Sequence, residues 1–264
     1  MHERQSHKGK KTVTRGVAHG AVSPREAGRI AALDIARSIA LFSMAIYHFT
    51  FDLELFGFVA AGTVFSPLWR GFAMGIAASF LFLAGGSLIL AHDPVARMRG
   101  FWRRLAMIVA CALAITAVTW VVFPNAFIFF GILHSIALAS VIGLVIRRWP
   151  AWVLGALGGF VLVLPMVFRA PLFDQPALLW VGLHTRNPVS NDFVPLFPWF
   201  APFLIGMAAA KLARASGLLE RLGRLGQGRL SQLLAWPGRH SLAVYMIHQP
   251  VLLGLVWLAA NVLR

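Results

Sequence analysis

Apolar runs long enough to cross a bilayer recur along this chain, near residues 30–50, 68–91, 103–123, 127–146, 151–168, 194–212 and 240–261. A hydrocarbon core of roughly 30 Å takes about 20 apolar residues of helix to span. Inside it every backbone N–H and C=O must find a partner within the protein, which leaves helices or closed barrels. Of the 264 residues, 59% are hydrophobic and 12% charged, and a soluble domain carries about twice that share of charge. The pattern therefore predicts an all-α integral membrane protein. Its seven-helix bundle occupies 29–264, behind a basic, disordered tail at 1–28 that lacks the large apolar residues of a core.

The placement of charge orients this bundle. With the N-terminus in the cytoplasm, the inner segments 1–29, 92–104, 147–150 and 211–239 hold 7, 4, 2 and 6 Lys or Arg, 19 in all. The outer segments hold only Arg70, Arg169, Arg186 and Arg264. This is the positive-inside asymmetry, and it predicts a cytoplasmic N-terminus and a periplasmic C-terminus in a bacterial inner membrane. It also accounts for the net charge of +15 through attraction to anionic lipid headgroups. A nucleic-acid partner is not expected, since no folded domain with basic and aromatic residues interleaved is present. Cys111 is the one cysteine, so an intrachain disulfide is excluded, and no metal-type Cys/His spacing appears.

Leu and Arg at helical spacing in 213–239 predict an amphipathic helix along the inner surface. Gly85, Gly86 and Ser87 in "FLFLAGGSLIL" suit close helix packing. The outer segment "FDLELFGFVAAGTVFSP" and the proline-rich 169–200 stretch are long enough to shape a site.

"RSIALFSMAIYHFTFD", residues 37 to 52, puts ionisable groups into the first span. Arg37 and His48 are eleven residues apart, three turns plus about 20°, so they share one face about 16 Å apart along the axis. Asp34 lies one turn before Arg37 and Asp52 one turn beyond His48. A charged stripe facing lipid costs several kcal/mol per group, so this one must face the bundle interior or a wet cavity. Asp34 and Arg37 suit an i,i+3 pair. His48 beside Asp52 suits a general base whose tautomer the carboxylate fixes. His134 in the fourth span and His240, Tyr245, His248 and Gln249 in "GRHSLAVYMIHQPV" add polar groups to the same interior, each by itself open to a packing role.

These motifs resemble a known family. "LDIARSIALFSMAIYHF" is similar to the first helix of the membrane acyltransferase superfamily, with its arginine, ten-residue gap and histidine. Together with "HFTFDLELFG", "FIFFGILHSIALAS", "VPLFPWFAPFLIGMAAA" and "GRHSLAVYMIHQPV", it resembles the bacterial branch related to heparan-α-glucosaminide N-acetyltransferase, over about residues 29 to 260. The resemblance implies transfer of an acetyl or short acyl group from cytoplasmic acyl-CoA to a sugar of an envelope glycan, without a metal. It implies that His48 acts in transfer with Arg37 as its partner, and it places His134, Trp199, His248 and Gln249 in shared motifs.

Acyl transfer needs a base for the acceptor or a nucleophile that carries the acyl group. It also needs donors for the developing oxyanion, a part open to Arg37, Tyr245 or Gln249. Arg99, Arg103 and Arg104 at the cytoplasmic mouth suit CoA phosphates, with plain positive-inside topology the favoured reading of them; Asp34 and His240 complete the expected binding set. A proton-coupled transporter or flippase of a glycan or lipid-linked substrate is the alternative, with the stripe as its path. The four lysines, Lys8, Lys10, Lys11 and Lys211, leave none in the last span for a retinal Schiff base. Membrane lipids, a glycan acceptor and a homo-oligomeric copy are the partners this reading admits.

Overall fold

The structure, a computed structural model, describes residues 30–93, 95, 98–224 and 228–263; the expected tail at 1–28 lies outside the described residues. Helices α1 (Ala31–Leu55), α2 (Pro67–His92), α3 (Met98–Val122), α4 (Ile132–Ile146) and α5 (Ala151–Val167) are followed by a long connection containing two 3₁₀ turns. Then come α6 (Leu196–Ala215), the short α7 (Leu218–Arg224) and α8 (Arg229–Arg239), and finally α9 (Ser241–Leu263). Among the described residues, five helices, α1, α2, α3, α6 and α9, are long and apolar enough to cross a membrane, and α4 and α5 are shorter apolar helices.

The shortness of α4 has a local cause. Its apolar run was expected to be helical from 127, but 127–131 is non-helical, and Phe130 makes an isolated parallel bridge to Phe193. Two threonines of α3 satisfy this backbone: Thr116 Oγ1 donates to the Ile128 carbonyl at 2.7 Å and Thr119 Oγ1 accepts from the Ile128 N–H at 3.0 Å. Non-helical backbone is tolerated at membrane depth where protein groups pair it in this way. The 15 residues of α4 rise only about 22 Å.

Asp192, from the connection before α6, caps α4 from outside its own element. Its Oδ2 accepts from the Ile132 N–H at 2.9 Å. Burial pushes its carboxyl up to about 6, against a smaller lowering by the Ile132 hydrogen bond. Because the folded value lies above the ordinary 3.8, the folded protein holds the extra proton between those values. Its stability therefore falls as pH rises through that window, and the penalty is complete above about 6. Asp192→Asn keeps an acceptor for Ile132 and removes the charge. Thermal melts should show the variant gaining on wild type at pH 8 relative to pH 5; a gain confined to pH 5 contradicts the assignment.

The same connection is pinned by Asp174, which accepts from the Thr185 hydroxyl at 2.6 Å and the Thr185 N–H at 2.7 Å. Those bonds hold its carboxyl below the usual range.

The core is built on α2 against α6, with α5 and α4 alongside. Close approach is reciprocal: a Cβ at Gly85 would sit 2.0 Å from the Phe203 carbonyl oxygen, and one at Gly206 would sit 2.1 Å from that of Phe82. Small residues that let backbones touch are the usual means of helix association in lipid, so the packing reading of the glycine pair holds for Gly85. The bulky residues left outside, such as Trp120, Val121 and Leu113 on α3, form the surface that lipid covers.

Contacts join the ends of the helices in two sets. Lys211 pairs with Asp93 at 2.8 Å, Arg147 donates to the His92 carbonyl and Arg239 approaches Asp34, all among segments expected on the inner side. Ala126 with Asn191 and Phe127 with Ser190 join segments expected on the outer side.

The 213–239 segment forms α7 and α8 rather than one helix. Along α8, Ala235 and Gly238 are buried as the helix packs on α1. Gly238 lies so close that a Cβ would be 1.9 Å from the Asp34 carbonyl oxygen. Its N–H donates to Ser38 Oγ at 2.8 Å. Leu230, Leu233 and Leu234 lie exposed on another face.

Candidate functional site

The α1 stripe faces inward throughout, because α8, α9 and α2 pack along it. At its lower end Arg37 donates to the buried Asp34 carboxylate and, through its other terminal nitrogen, to Ser87 Oγ on α2 at 2.5 Å. Ser87 in turn donates to the Leu83 carbonyl. Arg239 Nε lies 3.9 Å from the second Asp34 oxygen. One carboxylate is thus held between two guanidiniums, and the planar fork of Arg37 spans α1 and α2.

A cavity of about 1060 Å³ opens beside this pair. Asp34, Arg37, Ser87, Arg104, Arg214, Arg239 and His240 line its basic end, and apolar residues of α2, α3 and α4 line its walls. Four arginines face it against one carboxylate, so its field favours an anion. Arg214 is held by the end of α2, donating to the Asp93 carbonyl at 2.8 Å and the Ile89 carbonyl at 3.2 Å. Toward the bundle centre the cavity reaches Ile132, Leu133, Ile136 and Tyr245.

Beyond Tyr245 lies the upper end of the stripe. The Tyr245 ring is 5.6 Å from that of His248, which is 5.0 Å from that of His48. Tyr47 sets its edge against His48, with centroids at 5.7 Å. Asp52, fully buried, accepts from Gln249 Nε2 at 2.8 Å. The hydrogen bond that Asp52 makes thus goes across to Gln249 on α9.

The remaining expected residues divide. His134 has both ring nitrogens engaged: Nδ1 accepts from the Gly131 N–H at 3.3 Å, so Nε2 carries the proton, facing Thr116 Oγ1 at 3.3 Å. It secures the start of α4 and is not among the residues that line the cavity. Trp199 packs on the α2–α6 core and is not among the lining residues. Arg103 and Arg104 are both exposed, but only Arg104 lines the cavity, because adjacent residues on a helix point about 100° apart. His240 lines the mouth, its Nδ1 3.1 Å from the Trp236 carbonyl.

Three participants escaped the sequence reading as site residues. Arg214 and Arg239 read as topological charge, and Ser87 read as a small packing residue. The signal for Arg239 was its adjacency to His240 in "GRHSL"; nothing local marks Arg214. Among the described residues, no group of three or more His, Cys, Asp or Glu is placed to hold a metal ion.

Comparison with known proteins gives one match. The family described as heparan-alpha-glucosaminide N-acetyltransferase, catalytic, matches residues 29–250. No curated protein and no solved structure matches the chain.

Proposed function

Since the chain belongs to the heparan-alpha-glucosaminide N-acetyltransferase catalytic family, with 29–250 of its residues matched, we propose that it moves an acetyl or short acyl group from cytoplasmic acyl-CoA to a sugar of an envelope glycan. The family makes it a membrane acetyltransferase; the donor, the acceptor, the bacterial inner membrane and the residue roles are our reading.

The observation that carries this reading is the cavity and its gradient of chemistry. Its basic end, with Arg37, Arg104, Arg214 and Arg239, suits the phosphates of CoA, which arginine binds through paired N–H donors. Its apolar walls suit the pantetheine arm and acyl chain. Its far end stops at Tyr245, next to the His248–His48 pair, where the thioester carbonyl comes within reach of an imidazole. At that point His48 serves as base or as transient acyl carrier. Tyr245 or Gln249 is placed to donate to the carbonyl oxygen as charge develops on it. Arg37, about 16 Å below His48 along α1, belongs with the phosphate end. The oxyanion part open to Arg37 on sequence grounds therefore passes to the residues near His48.

Purified protein in nanodiscs, given acetyl-CoA and envelope extract, should release free thiol and acetylate a glycan. A transporter would instead leave the thioester intact, and that outcome would favour the flippase alternative, with the α1 stripe as its path.

A further inference from the structure

His248 is the one imidazole of this pair whose protonation the structure fixes. Its Nδ1 lies 2.6 Å from the Tyr245 backbone carbonyl. A carbonyl oxygen only accepts, so Nδ1 carries the proton and Nε2 of the neutral ring presents a lone pair. That Nε2 is buried and has no hydrogen-bond partner among the described residues. A backbone carbonyl that orients one nitrogen and leaves the other free is what a general base requires. His134 offers the contrast, with both of its nitrogens engaged.

Two further buried acceptors lie at the same α1–α9 contact. Asp52 Oδ2 and Gln249 Oε1 also have no partner among the described residues, while their other atoms are joined by the Gln249–Asp52 bond. Unpaired buried acceptors carry a desolvation cost, and a ligand that donates hydrogen bonds relieves it. The three free atoms are all acceptors, so the group they fit brings donor hydrogens: a hydroxyl or amine on a carbon skeleton with further hydroxyls.

Resting on the acyltransferase reading above, we propose that His248 is the base that takes the proton of the acyl acceptor. His48 then carries the acyl group, and Asp52 with Gln249 receives the acceptor's other donor hydrogens. In the first step a His48 ring nitrogen bonds to the thioester carbonyl carbon and the C–S bond breaks. The electron pair leaves on sulfur, and the proton displaced from the His48 ring goes to the thiolate to give free thiol. In the second, the acceptor oxygen or nitrogen bonds to the acyl carbon and the C–N bond to His48 breaks. The acceptor's proton passes to His248 Nε2 and from there to the His48 ring, 5.0 Å away between centroids. Both side chains end as they began.

The test uses full-length protein in nanodiscs. Nitrogen-15 NMR of labelled histidines, with His248 assigned by its loss in His248→Asn, should show the Nδ1-protonated tautomer. An Nε2-protonated ring overturns the proposal whatever the activity. Rapid quench with acetyl-CoA alone should give a burst of one thiol per protein for wild type and His248→Asn, and none for His48→Gln. With membrane vesicles from the producing cells as the acceptor source, His248→Asn should turn over roughly 100-fold slower than wild type, the scale of a lost general base. Wild-type turnover in His248→Asn, or loss of its first burst, overturns the proposal while leaving acyl transfer standing. A wild type that releases no thiol overturns both.

Discussion

His48→Gln should lose acyl transfer by roughly 100-fold or more, the usual scale when an imidazole is removed from proton transfer or covalent catalysis. Glutamine keeps a hydrogen-bonding group at that site but can neither take up a proton at neutral pH nor hold an acyl group. Membrane insertion should be intact, since removing an ionisable residue from a span eases it. Asp52→Asn should be milder, because the Asp52 carboxylate engages Gln249 rather than the His48 ring. Thiol release from acetyl-CoA by purified variants of matched abundance checks this. Wild-type rates in His48→Gln would make the upper stripe structural and move the chemistry to α9 alone.

Asp34→Ala should destabilise the folded protein by about 3–5 kcal/mol, the scale for removing one partner of a buried ion pair. The Asp34 side chain is 3% exposed and that of its partner Arg37 20%, and Arg239 loses the same carboxylate. Denaturation of the detergent-solubilised variant reads this directly; a loss below about 1 kcal/mol would make the pair a surface-like one. Arg37→Lys should fold, yet transfer roughly tenfold more slowly, about 1.4 kcal/mol in the barrier. An ammonium lacks the planar fork that reaches Asp34 and Ser87 together.

The stripe was legible in the sequence because a helix repeats every 3.6 residues and an apolar span leaves few ionisable positions to explain. Asp34, Arg37, His48 and Asp52 are all on the interior side, and α1 runs on to Leu55, which is what puts Asp52 in line. The late start of α4 was not legible: 127–131 is as apolar as the helix that follows. What breaks the helix is a set of partners elsewhere, Thr116, Thr119 and Asp192. Hydropathy cannot see hydrogen bonds made across 9 to 60 positions.

The site divides along the same line. Local spacing found the Asp34–Arg37 pair and placed His48 with the interior residues. The couplings of Asp52 to Gln249 and of Arg37 to Ser87 lie 197 and 50 positions apart, where no periodicity reaches. The separation of Arg103 from Arg104 needed only the position of α3 relative to the cavity, a packing fact that two adjacent arginines do not disclose.

The stripe on α1 is made first and finished last. A ribosome delivers α1 to the membrane with local contacts such as the Asp34–Arg37 pair available within the helix. Ser87 follows 50 residues after Arg37, Gly238 arrives 200 after Ser38, and Gln249 arrives 197 after Asp52. For most of synthesis the upper half of α1 therefore holds a carboxylate and an imidazole whose partners on α9 do not yet exist. Such groups are expensive against lipid, and it is the last helix that brings the partners which offset that cost. Completion of the last helix is thereby also completion of the first.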